Sequence, residues 1–157
     1  MKILLGVGNS LRGDDGVGCY IADNFRADDW MAINCATAPE NFSGIVRKQH
    51  PELLVIVDAA AMGLGPGTFR RVAPEMIEDV GLGTHMLALS HLIGYVSGYA
   101  GEILFIGIEP GHVTTCNDLS PAVREGADAL IAVLQSGHID AMEKLDGERL
   151  QENEEEQ

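Results

Sequence analysis

The sequence predicts an α/β fold: a three-layer α/β/α sandwich built on a mostly parallel central sheet of about five strands. Three observations carry this. Residues 2–7 read as a run apolar on both faces, the pattern of a strand covered from both sides, and 53–57 and 101–108 read as further strands. Between them lie stretches of helical spacing, such as Leu89, Leu92, Ile93 and Val96. At 157 residues, with no internal repeat and no linker, the chain has the length of one domain.

Each element follows in order. After the strand at 2–7, a glycine-rich loop from Gly6 to Gly18 leads into a helix of about ten residues ending near Phe25. Residues 31–36 form a second, weaker strand. Pro39 opens a helical segment to Gln49, stopped by Pro51. The run 53–57, Leu-Leu-Val-Ile-Val, is the clearest strand. Gly63, Gly65, Pro66 and Gly67 make a turn before an edge strand at 68–72, guarded by Arg70 and Arg71. A helix spans 86–99 and the last strand 101–108. Ser120 as N-cap and Pro121 at the first position start a helix to about Leu134. From about Ser136 apolar periodicity fades, so the domain is placed at residues 1–139 and residues 140–157 are expected to be an acidic, disordered tail.

Charge excludes several functions. The net charge is −14, with 24 acidic residues against 10 basic ones, so the attraction to phosphates that nucleic-acid binding needs is missing. An anionic membrane surface would repel the chain, and no uncharged apolar run approaches a membrane span. Neither nucleic acid nor membrane is expected as a partner. Cys19, Cys35 and Cys116 form no CxxC pair; they read as small core residues of a cytoplasmic protein. The short apolar start before Gly8-Asn9-Ser10 is no signal-peptide core.

Three side chains stand out because each follows a strand-like run or a turn at its end. Asp15 follows 2–7, Asp58 ends 53–57, and His85 lies in the turn Gly81-Leu82-Gly83-Thr84-His85 before a helix. In an open α/β sheet, ligands bind outside the carboxyl ends of the strands. Two carboxylates and an imidazole arriving there make an O,O,N metal site or an acid/base site. Asp58 is the hardest to explain structurally, since aspartate disfavours strand interiors and its charge is costly to bury. Asp14 and Asp15 also suit a helix N-terminus, and one carboxylate suffices there. Asp15 is therefore assigned to chemistry and Asp14 to structure or support of the site, a division that spacing alone leaves nearly even. His91, six residues past His85, should point elsewhere, and His50, His112 and His138 read as solvent histidines. The glycine loop begins like a dinucleotide fingerprint, but Leu11 stands at the third glycine. Two carboxylates at the following helix would repel a pyrophosphate. No G-x-S-x-G elbow or H-E-x-x-H motif is present.

In combination these residues resemble the nickel–iron hydrogenase maturation endopeptidases. The motifs are Gly8-Asn9, Gly13-Asp14-Asp15-Gly16-Val17-Gly18, Ala38-Pro39-Glu40-Asn41, Val57-Asp58-Ala59, Pro66-Gly67, Thr84-His85 and Gly107-Ile108-Glu109-Pro110. They cover about residues 2–135 and are most similar to the branch serving formate-hydrogenlyase-type hydrogenases. The resemblance implies removal of a C-terminal extension from the hydrogenase large-subunit precursor after nickel insertion. It implies metal contact by Asp15, Asp58 and His85, with Asp15 and Asp58 catalytic, and substrate contact by Glu40 and Asn41. Nickel would arrive with the substrate and be held only weakly by the enzyme, a monomer. Ala88 stands where relatives often have proline, and Glu109 where they often have glutamine. The competing reading is a non-proteolytic nucleotide- or metal-binding α/β domain. If Asp14 is only a helix cap, Asp14→Asn should be milder than substitution of Asp58.

Overall fold

The computed structural model describes residues 1–82 and 86–146. Among them five strands form one sheet in the order β2-β1-β3-β5-β4. They are β1 (Lys2–Val7), β2 (Trp30–Ala36), β3 (Leu53–Ala59), β4 (Phe69–Val72) and β5 (Glu102–Ile108). β1 pairs in parallel with β2 and β3, and β3 with β5; only the edge strand β4 runs antiparallel, from Phe69 opposite Ile108 to Val72 opposite Phe105. The sheet is thus mostly parallel, as the doubly apolar runs predict.

Helices cover both faces. Helix α1 (Val17–Asn24) and α5 (Pro121–Ser136) pack over Leu4, Val55, Val57 and Ile106. Their contribution includes Val17 and Ile21 from α1 and Val123, Ala127, Leu130 and Leu134 from α5, one stripe at helical spacing. On the opposite face α2 (Ser43–Gln49), α3 (Ile77–Val80) and α4 (Met86–Val96) bury Val46, Ile77, Val80, Leu89, Leu92 and Val96 against Ile3, Leu5, Leu54 and Ile56. The four-residue α3 is too short for periodicity to reveal. Three-residue and four-residue 3-10 turns, unrecognised in the sequence, precede α1, α2 and α3.

The body extends past the boundary expected at residue 139. Met142 is buried, and Leu145 packs on the core. The Arg71 N–H donates to the Glu143 carbonyl (2.9 Å), and the Leu145 N–H donates to the Arg71 carbonyl (2.8 Å). Residues 143–145 therefore cover the free edge of β4, and Arg70 pairs with Glu143 at 3.1 Å. An unpaired edge strand is an aggregation hazard; this one is blunted by its own chain as well as by arginine. The part of the expected tail beyond Asp146 lies outside the described residues.

This covering has a measurable consequence. A chain ending at Ala141 should melt lower than one ending at Asp146 and aggregate faster on heating. Burying one side chain of the size of Met142 is worth roughly 1.5–3 kcal/mol, which for a domain of this length corresponds to about 5 °C or more. Equal midpoints by differential scanning calorimetry would show that residues 142–146 add nothing to the fold.

Candidate active site

The parallel strands end at one edge, where the chain leaves β1 toward Asp15 and where β3 carries Asp58. The position of Asp15 follows from close packing of glycines. A side chain at Gly18 would put its Cβ 2.3 Å from the Val7 carbonyl oxygen and 2.6 Å from that of Val57. Helix α1 can therefore seat its first turn directly on the ends of β1 and β3 only because residue 18 has no side chain. Gly8, at φ +155°, lies against the Asp15 carbonyl, which an added Cβ would meet at 2.1 Å. The 3-10 turn Gly13–Gly16, which holds Asp15, packs on β3.

Asp15 is 4% exposed and Asp58 fully buried. The Ala59 N–H donates to Asp58 Oδ1 at 2.8 Å. On the first turn of α1 sits buried Cys19, whose thiol donates to the Gly8 carbonyl at 3.5 Å. Burial first, then the charges of Asp58, Asp23 and Asp15, push that thiol up to about 12. Asp15 and Asp58 thus act electrostatically on one point, and Cys19 remains a neutral thiol rather than a nucleophile. Cys35 is likewise pushed up to about 12, by burial foremost and then by Cys19 and Glu40. Glu40 and Asn41 are exposed on the 3-10 turn Pro39–Phe42, beyond the end of β2 and against α4. His85 lies outside the described residues. Among the described residues no group of three His, Cys, Asp or Glu side chains could hold a metal by itself.

Asp14 departs from the reading as a cap of α1. Among the described residues no side chain caps that helix, whose N-cap position is Gly16. Asp14 instead reaches the segment between β5 and α5. Oδ2 accepts from the N–H groups of Gly111 (2.7 Å) and His112 (2.8 Å) and from the Ser120 hydroxyl (2.8 Å); Oδ1 accepts from the Ser120 N–H (2.7 Å). Ser120 occupies the N-cap position of α5 as predicted, but its hydroxyl is committed to Asp14 instead of to the helix. Burial acts to raise the Asp14 pKa, and the hydrogen bonds from His112, Ser120 and Gly111 outweigh it, leaving the carboxyl below its ordinary value of 3.8.

Glu109 shows the opposite balance. Its Oε1 accepts from the Met62 (2.9 Å) and Leu64 (2.7 Å) N–H groups, anchoring the loop between β3 and β4. Burial dominates over these bonds and raises its pKa above 4.5. Neither role of Asp14 or Glu109 was legible locally, since the partners lie 45 to 106 residues away. Cys116 is half-buried in a loop rather than in the core; its N–H donates to the Leu11 carbonyl at 3.1 Å. His50, His91, His112 and His138 are exposed, as read from spacing.

Because the folded Glu109 binds its proton more tightly than the unfolded chain does, its contribution to stability is present below about pH 4.5 and lost as pH rises through the folded value. Glu109→Gln keeps the accepting oxygen and removes the buried charge. Its thermal midpoint should exceed that of the parent chain at neutral pH, with the gain vanishing as pH falls toward 4.5. A midpoint unchanged or lower at every pH would refute this assignment.

The model of the family described as hydrogenase maturation protease (HycI) matches residues 17–136. The hydrogenase 3 maturation protease of Escherichia coli strain K12 is 34% identical over 137 residues, spanning 85% of this chain and 88% of that protein. The solution structure of the endopeptidase HycI from Escherichia coli superposes with a TM-score of 0.82 at 30% identity, covering 93% of this chain and 97% of the other. The [NiFe] hydrogenase maturation protease HycI from Thermococcus kodakarensis gives 0.75 at 28% identity, covering 86% and 90%. With sequence, fold and the buried carboxylates at the strand ends in agreement, the chain belongs to the hydrogenase maturation protease family and is an endopeptidase of hydrogenase maturation.

Proposed function

We propose that this endopeptidase removes the C-terminal extension of a nickel–iron hydrogenase large-subunit precursor, and that nickel already inserted in the precursor is what it recognises. The observation that supports this reading most is the pair of buried carboxylates, Asp15 and Asp58, acting on one point at the ends of the two central strands. Carboxylate oxygens buried at one edge are hard donors of the kind that contact a cation. Carboxylate oxygens with one imidazole, His85, are acceptable nickel donors but too few to retain the ion alone. A nickel ion held by its own protein can use them as outside contacts, which makes cutting conditional on metal insertion.

Hydrolysis adds water across one peptide bond: the carbonyl carbon gains hydroxyl and the departing nitrogen gains a proton. Asp15 and Asp58 are the carboxylates placed to serve this proton traffic, giving an aspartate-dependent protease in which no thiol attacks. Glu40 and Asn41, exposed beyond β2, are the residues that would meet the precursor surface. The reaction fits a monomeric enzyme in the cytoplasm.

The test mixes purified protein with a precursor whose extension is intact, with and without inserted nickel, and weighs the products by mass spectrometry. Only nickel-loaded precursor should be shortened. Asp58→Asn should nearly abolish the cut, because size is kept and the charge is lost; Asp15→Asn and His85→Ala should impair it strongly. Equal cutting of nickel-free and nickel-loaded precursor would overturn the gating, and failure to cut any matched precursor would overturn the substrate assignment.

A further inference from the structure

The side chain that ties the site together is the neighbour of Asp15 rather than Asp15 itself. Asp14 is fully buried, and all four of its hydrogen-bond partners are donors: three backbone N–H groups and one hydroxyl. Only an acceptor-only group satisfies such a set. A carboxamide turned so that its oxygen serves Gly111, His112 and the Ser120 hydroxyl would aim its NH2 at the Ser120 N–H. A glutamate would need room that is absent, since a Cβ at Gly111 would already lie 3.1 Å from Asp14 Oδ2 and 3.0 Å from Ser120 Oγ. Backbone bonds lace the same two segments together: the Gly13 N–H donates to the Cys116 carbonyl (2.7 Å) and the Asp14 N–H to the His112 carbonyl (3.1 Å).

Asp15 is held from the other side. Its carbonyl accepts from the Asn9 N–H at 3.0 Å, and its own N–H donates to the Arg12 carbonyl at 3.2 Å. One residue therefore has its backbone fixed to the end of β1, while its predecessor is clamped to the start of α5. We propose that Asp14 is a positioning residue for the peptide cut: by clamping the turn Gly13–Gly16 to the Gly111–Ser120 segment it sets where the Asp15 carboxylate stands beside Asp58. This rests on the proteolytic reading above and adds a residue to its machinery. It also reverses the expectation that Asp14→Asn is a mild change.

The experiment compares Asp14→Asn, Gly111→Ala, Asp15→Asn and the Asp14→Asn/Asp15→Asn double variant on nickel-loaded precursor, each corrected for its folded fraction. Displacement of a reacting group by about 1 Å can cost two orders of magnitude, so kcat of Asp14→Asn should fall about 10- to 100-fold. KM should stay within about twofold, because the precursor-binding surface is not altered. Gly111→Ala retains the carboxylate and merely presses on it, so it should lower kcat in the same direction even if Asp14→Asn folds poorly. The double variant should be no worse than Asp15→Asn alone, since Asp14 acts through Asp15. Wild-type kcat in both Asp14→Asn and Gly111→Ala, or multiplicative losses in the double variant, would overturn the proposal. If the parent protein cuts no precursor, the proteolytic reading falls separately. Hydrogen exchange at the Asn9 and Asp15 amides then decides the clamp: faster exchange in Asp14→Asn supports it, and unchanged exchange removes it.

Discussion

The structure depends on one close approach of backbones. Gly18 of α1 lies against the carbonyl oxygens of Val7 and Val57, the last turns of two neighbouring parallel strands, at distances no Cβ would tolerate. Gly6 makes the reciprocal contact, where a Cβ would meet the Gly18 carbonyl at 2.1 Å. Chain order then does the rest. Asp15 stands three residues before Gly18, so seating the helix on β1 and β3 lays the turn that carries it against β3, the strand that carries Asp58. That edge is also where strand order reverses, since the chain passes from β1 outward to β2 and then returns to β3 on the other flank. Crevices in doubly wound sheets form at such reversals. A glycine chosen for packing thus determines where the chemistry is located.

Burial alone does not decide what the four acidic residues of this edge do; the number and kind of their donors does. Asp14 and Glu109 are both buried side chains at the same end of the sheet, yet their proton affinities shift in opposite directions. Asp14 gathers four donors on two oxygens, enough to outweigh desolvation. Glu109 offers one oxygen to the Met62 and Leu64 amides, and burial prevails. The first is an ion made comfortable and used as a clamp; the second is a loop anchor that would serve as well uncharged.

Much of the fold was legible because parallel strands announce themselves. The runs at 3–7 and 53–57 carry no polar side chain, and all seven residues of β3 are buried. Ser120 and Pro121 likewise marked the start of α5. What escaped was non-local. Nothing near Asp14 in the chain hints that its partners are Gly111, His112 and Ser120, because hydrogen bonds across about a hundred residues leave no periodic trace. Between Asp140 and Asp146 the chain is held on the body for a related reason: Met142 and Leu145 are isolated apolar residues in an acidic stretch, and the free edge of β4 gives them something to cover. Asp15 and Asp58 were legible as candidates for one site at the strand ends, but the packing of Gly18 on Val7 and Val57 that seats the helix there was not.

Cys19 shows how the same geometry excludes as well as assembles. A thiol set between a helix N-terminus and an anionic crevice is a candidate nucleophile when cations surround it, because they stabilise thiolate. Here the surroundings are reversed: Asp58, Asp23 and Asp15 raise the proton affinity that burial has already raised. The carboxylates that make the edge receptive to a cation therefore keep the neighbouring sulfur protonated, with its proton directed to the Gly8 carbonyl. A protonated thiol is also a poor ligand for a soft metal. The edge thus presents carboxylate oxygens and keeps this sulfur as a neutral thiol.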